Sequence, residues 1–221
     1  MTNENFEHSL DSPPEFGELT LSFPIEPVSL QSNSSKREFV KTSIRKSVKK
    51  LNYLLSGDVK IEIQWLVHEQ ERYESPNSPD MDNIIKPILD GLSGPDGVLI
   101  DDCQVQTVGS HWIDWTKREH QINISIRYIP DDYITKQNLI FVNMGSNLYM
   151  PFHTDLPPEF NLKILNHLKK GFDLKERFME QTLDYYQAKL FTSVQRVFHK
   201  SRVHGHFKTV EFDDFKNQLE K

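Results

Sequence analysis

The sequence predicts an α+β protein, a small mixed sheet with flanking helices, followed by a mainly helical C-terminal extension. Three observations predict it. Between residues 17 and 130, segments with period-two hydrophobicity alternate with segments of helical period. The run Pro130-Asp131-Asp132 ends that regime, and beyond it apolar residues recur mostly at helical spacing. The expected division is an unordered acidic tail over 1–16, a mixed α/β domain over 17–130 and a helical extension over 131–221. No internal repeat is visible.

Each element has its own signal. Leu19, Leu21, Phe23 and Ile25 alternate with Thr20, Ser22 and Pro24, which makes a half-buried strand with Pro24 at an edge or an end. Ser35 and Glu38 have capping-box spacing. Val40, Ile44, Val48, Leu51 and Leu55 then recur every three or four residues, predicting one helix that stops at Gly57. Arg37, Lys41, Arg45 and Lys49, each four apart, put a basic stripe about 18 Å long on another face of that helix. Val59, Ile61, Ile63, Trp65 and Val67 give a second strand, and the polar stretch from Glu69 to Pro79 reads as an exposed loop. A helix is expected from Asp80 or Met81. After a Gly94-Pro95-Asp96-Gly97 turn, Val98-Leu99-Ile100 reads as a short strand. Cys103, Val105 and Thr107 open another, which a hairpin near Thr116–Arg118 should join to a strand through Ile122, Ile124, Ile126 and Tyr128.

In the extension, Leu139–Gly145 is ambiguous. Pro157-Pro158 then introduces a helix through Leu162, Leu165 and Leu168 that Gly171 should stop. Leu174, Phe178, Tyr186, Leu190, Val194 and Val197 predict a longer helix whose apolar stripe packs on its own core or forms a dimer or partner surface.

Composition excludes several classes. With 37% hydrophobic and 26% charged residues intermixed, no window approaches the roughly 20 apolar residues of a membrane span. The opening MTNENFEHSL lacks a secretory pattern and the one cysteine, Cys103, cannot pair within the chain, so a soluble cytoplasmic setting is expected. A net charge of −6 argues superficially against a nucleic-acid partner. The deficit is local, however: residues 1–34 carry six acids and no Lys or Arg, leaving 26 against 26 over the rest. Residues 36–50 hold seven bases against Glu38, and residues 189–208 hold five bases, three histidines and no acid. Each basic run is either a solvated helix face or a phosphate-binding surface.

Residues 75–102 carry six aspartates against the single Lys86. On a helix from Met81, Asp82, Lys86 and Asp90 share one face, and Asp80 either caps the N-terminus or sets its carboxylate beside that of Asp82. Pro87 lacks the amide for an intrahelical bond and should kink the helix or loosen its first turn. Adjacent extended residues face opposite ways, so one of Asp101 and Asp102 can join the other acids while its neighbour faces solvent or caps a turn. Converging carboxylates need a compensating cation. Their hard oxygens favour Mg²⁺ or Mn²⁺, and Lys86 beside them can offset charge developing on a phosphate.

The order Asp80-Met81-Asp82-Asn83, Lys86, Asp90-Gly91-Leu92 and Asp101-Asp102-Cys103-Gln104-Val105 resembles the RusA family of Holliday-junction resolvases, whose signature runs D-x-D-N, K, D-x-L, D-D-x-Q-V. The resemblance covers about residues 17–130, with its specific part at 79–105. It implies a homodimeric endonuclease that, with Mg²⁺ or Mn²⁺ in its place, cuts two opposing strands of a four-way DNA junction. The catalytic, metal-holding acids would be Asp80, Asp82 and Asp102 and the catalytic lysine Lys86, with Asp90 and Asp101 in support. Arg37, Lys41, Arg45 and Lys49 are the expected DNA contacts, and Lys200, Arg202 and Lys208 a second set. The acidic first 34 residues and the large extension depart from the family. Residues 131–221 would widen a dimer interface, touch DNA or bind a protein partner.

Other chemistries lack support. No nucleophile-elbow or Gly-rich phosphate loop is present, and Cys103, His111, His120 and His204-Gly205-His206 lack zinc spacing. Trp112 and Trp115 fit packing better than base stacking. The rival from another class is a catalytically idle module that binds branched DNA or a protein partner. That all four expected catalytic positions are filled weighs against it.

Overall fold

The computed structural model describes residues 9–26, 34–75, 81–192 and 196–221, with the backbone alone at 81–83. The chain divides into two compact units, Met1–Thr135 and Lys136–Lys221. Among the described residues no helix is long and apolar enough to cross a membrane.

The first unit runs β1 (Glu18–Phe23), α1 (Ser34–Val48), β2 (Tyr53–Leu55), β3 (Val59–His68), α2 (Glu69–Glu74), α3 (Met81–Leu92), β4 (Val105–Trp115), β5 (Gln121–Arg127) and β6 (Tyr133–Thr135). Four strands form a mixed sheet in the order β1-β5-β3-β4, and β2 and β6 form a separate antiparallel pair. β3 is parallel to β4, and the connection between them carries α3, the crossover a parallel pair requires. One face of the sheet presents Leu19, Leu21, Ile61, Ile63, Trp65, Ile122, Ile124 and Ile126. These pack in one core with Val40, Ile44 and Val48 of α1 and Ile84, Ile88 and Leu92 of α3. The alternating residues Ser22 and Asn123 lie on the opposite, polar face and hydrogen bond across β1 and β5.

Several expectations change here. β4 and β5 do not form a hairpin: both pair with β3, which lies between them. β3 buries every second residue from Val59 to Val67, whereas β4 is half-exposed along most of its length and takes the edge. α1 ends at Val48 rather than near Gly57. Leu51 and Leu55 are buried as the helical spacing suggested, but Tyr53–Leu55 is strand β2, so the two periodicities coincided over this stretch. The expected loop after β3 opens with α2, capped by His68 Nδ1 accepting from the Gln70 amide. Val98–Ile100 forms no strand; Leu99 makes isolated bridges to Leu55 and Ser93. Of the expected tail, residues 1–8 lie outside the described residues. Residues 9–16 are fastened instead, since the Leu10 carbonyl accepts from the Asn52 amide and the Pro14 carbonyl from the Tyr128 hydroxyl.

The second unit runs β7 (Leu139–Gly145), β8 (Leu148–His153), α4 (Pro158–Thr182), α5 (Tyr185–Ala188), β9 (Phe198–His199), α6 (Lys200–Val203), β10 (Thr209–Glu211) and α7 (Phe212–Leu219). The ambiguous apolar run is β7, second in a sheet of order β10-β7-β8-β9. Leu165 and Phe172 of α4 and Phe215 of α7 pack on Ile140, Val142, Met144, Met150 and Phe152 of that sheet. Pro158 stands at the first helical position of α4, where its missing amide costs nothing. Gly171 does not stop the helix. A Cβ there would come within 2.2 Å of the Phe191 carbonyl oxygen, so the glycine lets the 3-10 turn Lys189–Phe191 lie against α4. The helix ends where Leu183 turns left-handed at φ 57°. The single long stripe through Val197 is thereby broken, and Tyr186 and Leu190 are left 75% and 78% exposed.

Candidate active site

α3 is the element on which the site is built. Its buried side is Ile84, Pro87, Ile88, Gly91 and Leu92, spaced three or four apart, which leaves Lys86 and Asp90 on the outer side. Pro87 lies inside the helix and is itself buried, so the helix gives up one backbone bond but keeps its course on the core. Gly91 allows α1 to approach closely: a Cβ there would meet the Ile44 Cβ at 3.0 Å and the Lys41 carbonyl oxygen at 3.1 Å. Arg45 of α1 completes that junction. Its Nη2 donates to the carbonyls of Asp90 (2.7 Å) and Ser93 (3.1 Å), groups that a helix C-terminus leaves without intrahelical partners.

Lys86 is the centre of the charged cluster. Its Nζ lies 2.8 Å from Asp90 Oδ1, one turn further along α3, and 2.8 Å from Asp102 Oδ2 on a segment brought in from beyond the helix. The hydrogen bonds to Asp102 and then Asp90 raise the Lys86 pKa well above its ordinary value, outweighing partial burial. Lys86 is therefore a fixed cation, with about half of its side chain open to solvent.

The turn that carries Asp102 separates the adjacent acids. Asp101 is the extended N-cap of the 3-10 turn Asp102–Gln104, and its Oδ1 accepts from the Cys103 amide at 3.0 Å. Asp102, the next residue, faces Lys86. Gln104 closes the capping box and is fully buried. Its Oε1 accepts from the amides of Ile100 (2.8 Å) and Asp101 (3.1 Å), while its Nε2 donates to the carbonyls of Leu55 and Gly57, both at 2.8 Å. Gln104 was a letter of a motif in the sequence. Its spacing to Leu55 and Gly57, about fifty residues away, offered no signal of this role.

Of the expected site residues, the structure brings Lys86, Asp90 and Asp102 together and turns Asp101 into a cap. Asp80 lies outside the described residues, as does the side chain of Asp82, whose backbone is in the first turn of α3. Among the described residues no group of three or more His, Cys, Asp or Glu side chains converges as a metal cage. The donors that are seen, the carboxylates of Asp90 and Asp102, are hard oxygen ligands of the kind Mg²⁺ takes, and a site that ion occupies commonly leaves several positions to water and phosphate. The chemistry of the donor set therefore fits a hard divalent cation.

The basic stripe of α1 is not uniform. Lys41 lies 3.5 Å from Glu38 and Lys49 lies 3.2 Å from Asp96, both in largely solvated pairs. Arg37 is half-buried and Arg45 is committed to the end of α3. Trp112 packs against Trp65, ring centroids 6.4 Å apart, and Trp115 carries the Lys117 ammonium 4.8 Å from its ring centroid. Neither was needed for the cluster around Lys86.

Residues 31–127 match the family described as endodeoxyribonuclease RusA. No curated protein matches the chain.

Proposed function

From the match of residues 31–127 to the family described as endodeoxyribonuclease RusA, we propose that the chain belongs to that family and is a Mg²⁺-dependent nuclease that resolves four-way DNA junctions as a two-fold dimer. The observation that carries the reading is Lys86 held at 2.8 Å from both Asp90 and Asp102, at the positions where the family signature places its lysine and two of its aspartates. A cluster of this kind has no need to persist in a module that only binds.

Asp102, Asp80 and Asp82 would hold the cation. Bound there, Mg²⁺, or Mn²⁺ in its place, would supply a polarised water and neutralise phosphate charge. The chain's own residues do the rest. The reaction is hydrolysis: a water oxygen adds to phosphorus, the bond from phosphorus to one sugar oxygen breaks, and that oxygen leaves with a proton. Negative charge on the phosphate oxygens grows along this path, and Lys86 offsets it with an ammonium already oriented by Asp90 and Asp102. Because Lys86 and Asp90 sit one helical turn apart on α3, the ammonium needs no reorganisation when substrate arrives. Half-buried Arg37 and Lys41 on α1 and the exposed Lys49 just past its end would meet the DNA backbone, which binding proteins hold chiefly by phosphate contacts. Arg45 supports the site from behind. Two identical sites related by a two-fold axis suit the two equivalent strands of a symmetric junction.

The test is cleavage of a labelled synthetic four-way junction beside linear duplex of the same sequence, with Mg²⁺ and with chelator. Paired, metal-dependent cuts confined to the junction are expected. Binding without cutting, across several junction sequences and with Mn²⁺, would overturn the enzyme reading in favour of an idle binding module. Equal cutting of linear duplex would remove the junction from it.

A further inference from the structure

Asp102 comes to Lys86 on a segment with little regular structure to hold it. β4 begins only at Val105, and between Leu92 and that strand the chain is held by buried Val98, Leu99 and Ile100, by the Leu55 amide donating to the Val98 carbonyl at 2.8 Å, by isolated bridges at Leu99 and by single turns. Those three buried residues, that hydrogen bond and those bridges all stop short of Asp101 and Asp102. The side chain of Gln104 spans this gap. All four hydrogen-bonding capacities of its amide are used, two by backbone amides of the Ile100–Asp101 segment and two by backbone carbonyls of the Leu55–Gly57 segment. A fully buried amide with this pattern joins two distant stretches of chain at a fixed spacing, and no hydrocarbon of equal length can do so without leaving those four groups unmet.

We infer that Gln104 is the positioning residue of the site: its buried amide locks the Asp101–Asp102 turn onto the Leu55–Gly57 segment and so sets the Asp102 carboxylate against Lys86. The inference rests on the nuclease reading and adds to it the means by which an acid from outside α3 keeps its place. The anchor is itself tied down. β2 pairs with β6, Tyr53 opposite Thr135, and the Ser56 amide donates to the Asp132 carbonyl at 2.8 Å. Residues 132–135 lie past the end of the family match at residue 127, so this chain fastens its site with a segment beyond the matched region. Displacements on the order of 1 Å at a reacting centre can lower rates about a hundredfold, and residues that orient a metal-binding carboxylate typically matter by about 10- to 100-fold.

The experiment uses the full chain and Gln104→Met, which keeps the length of the side chain and removes its hydrogen bonds. Gln104→Glu, which keeps an acceptor for the two amides and loses both donors, serves as a second variant. Three quantities are read: the single-turnover cleavage rate with enzyme saturating a four-way junction, the junction Kd, and amide hydrogen exchange at Ile100 and Asp101. Ile126→Val, a core change in β5, controls for loss of stability alone. The expected result is a rate lowered at least tenfold in Gln104→Met, a Kd within threefold of wild type, faster exchange confined to the turn, and a control that cuts at the wild-type rate. A folded variant that cuts within twofold of wild type overturns the inference, as does a control that slows equally. If neither Gln104 variant accumulates in folded form, the amide belongs to the fold rather than to the site and the inference fails. Wild-type protein that leaves the junction uncut sinks the nuclease reading first, whereas an active wild type beside an equally active Gln104→Met sinks this inference alone.

Discussion

Asp101 and Asp102 are neighbours in the chain with separate tasks. The Asp101 side chain closes its own turn, and an asparagine in its place can accept the same amide hydrogen bond. Asp102→Asn, in contrast, removes the charge that faces Lys86. Cleavage should therefore fall by roughly 10²-fold or more in Asp102→Asn and stay within a few-fold in Asp101→Asn, measured as single-turnover rates on one junction. A reversed order would mean that the acids are assigned the wrong way round. Asp82→Asn should also abolish cutting while junction binding holds or tightens, because less negative charge meets the phosphates. A normal rate in that variant would remove Asp82 from the site.

Tyr128 makes a residue-scale prediction about pH. Burial pushes its hydroxyl pKa up to about 12, and in the folded protein that hydroxyl donates to the Pro14 carbonyl. The folded pKa is raised above the ordinary value near 10, so this contribution to stability is complete below about pH 10 and is lost as pH climbs through about 12. The urea midpoint should drop over that window, and less steeply in Tyr128→Phe. Equal slopes would show that the hydroxyl does not take part.

At the scale of elements, Arg45 of α1 is a structural joint to the end of α3, while the other bases of the stripe are the proposed DNA contacts. Replacing Arg37, Lys41 and Lys49 with alanine should weaken junction binding and flatten its dependence on log salt, with little change in stability. Arg45→Ala should instead cost about 1.5–3 kcal/mol in a urea titration, since two carbonyls at the end of α3 lose a charged donor. An unchanged salt slope in the triple variant would take α1 out of the interface. In α4, Gly171→Ala should destabilise by about 1–3 kcal/mol, although alanine is the better helix former by about 1 kcal/mol, because its Cβ would displace the Phe191 carbonyl. A raised Tm would show that the 3-10 turn does not need that approach.

The strands of the first sheet and the inward faces of α1 and α3 were legible at this scale. Alternation in β1, β3 and β5 and the three- and four-residue spacing of Val40, Ile44 and Val48 reappear as buried residues. Boundaries were less legible. Leu51 and Leu55 satisfied the helical period by accident of β2, and Gly171 looked like a helix stop because a close approach and a stop both call for glycine. The adjacency of β4 and β5 in sequence suggested a hairpin that β3 prevents.

For the whole molecule, the two units carry separate cores, and the first includes β6 beyond the region the family match covers. A chain cut after Thr135 should unfold cooperatively, whereas one cut after Arg127 loses Tyr128, Asp132 and β6, and with them the anchor of β2. Circular dichroism melts of the two truncations check this. Equal cooperativity would show that β6 is dispensable.

The sequence by itself determined the α+β class, the positions of β1, β3, β4 and β5 and the resemblance to the RusA family that the match over residues 31–127 bears out, because period-two and period-3.6 hydrophobicity and a spaced set of aspartates around one lysine are local properties of the chain. Only the tertiary structure decided the rest. It set the strand order, turned Asp101 into a cap while Asp102 meets Lys86, moved Arg45 from the stripe to a helix end, and gave Gln104 its four backbone partners. All of these but the Asp101 cap depend on groups far apart in the chain becoming neighbours. A backbone carbonyl at Leu55 or Gly57 looks the same in every sequence until folding places an amide beside it.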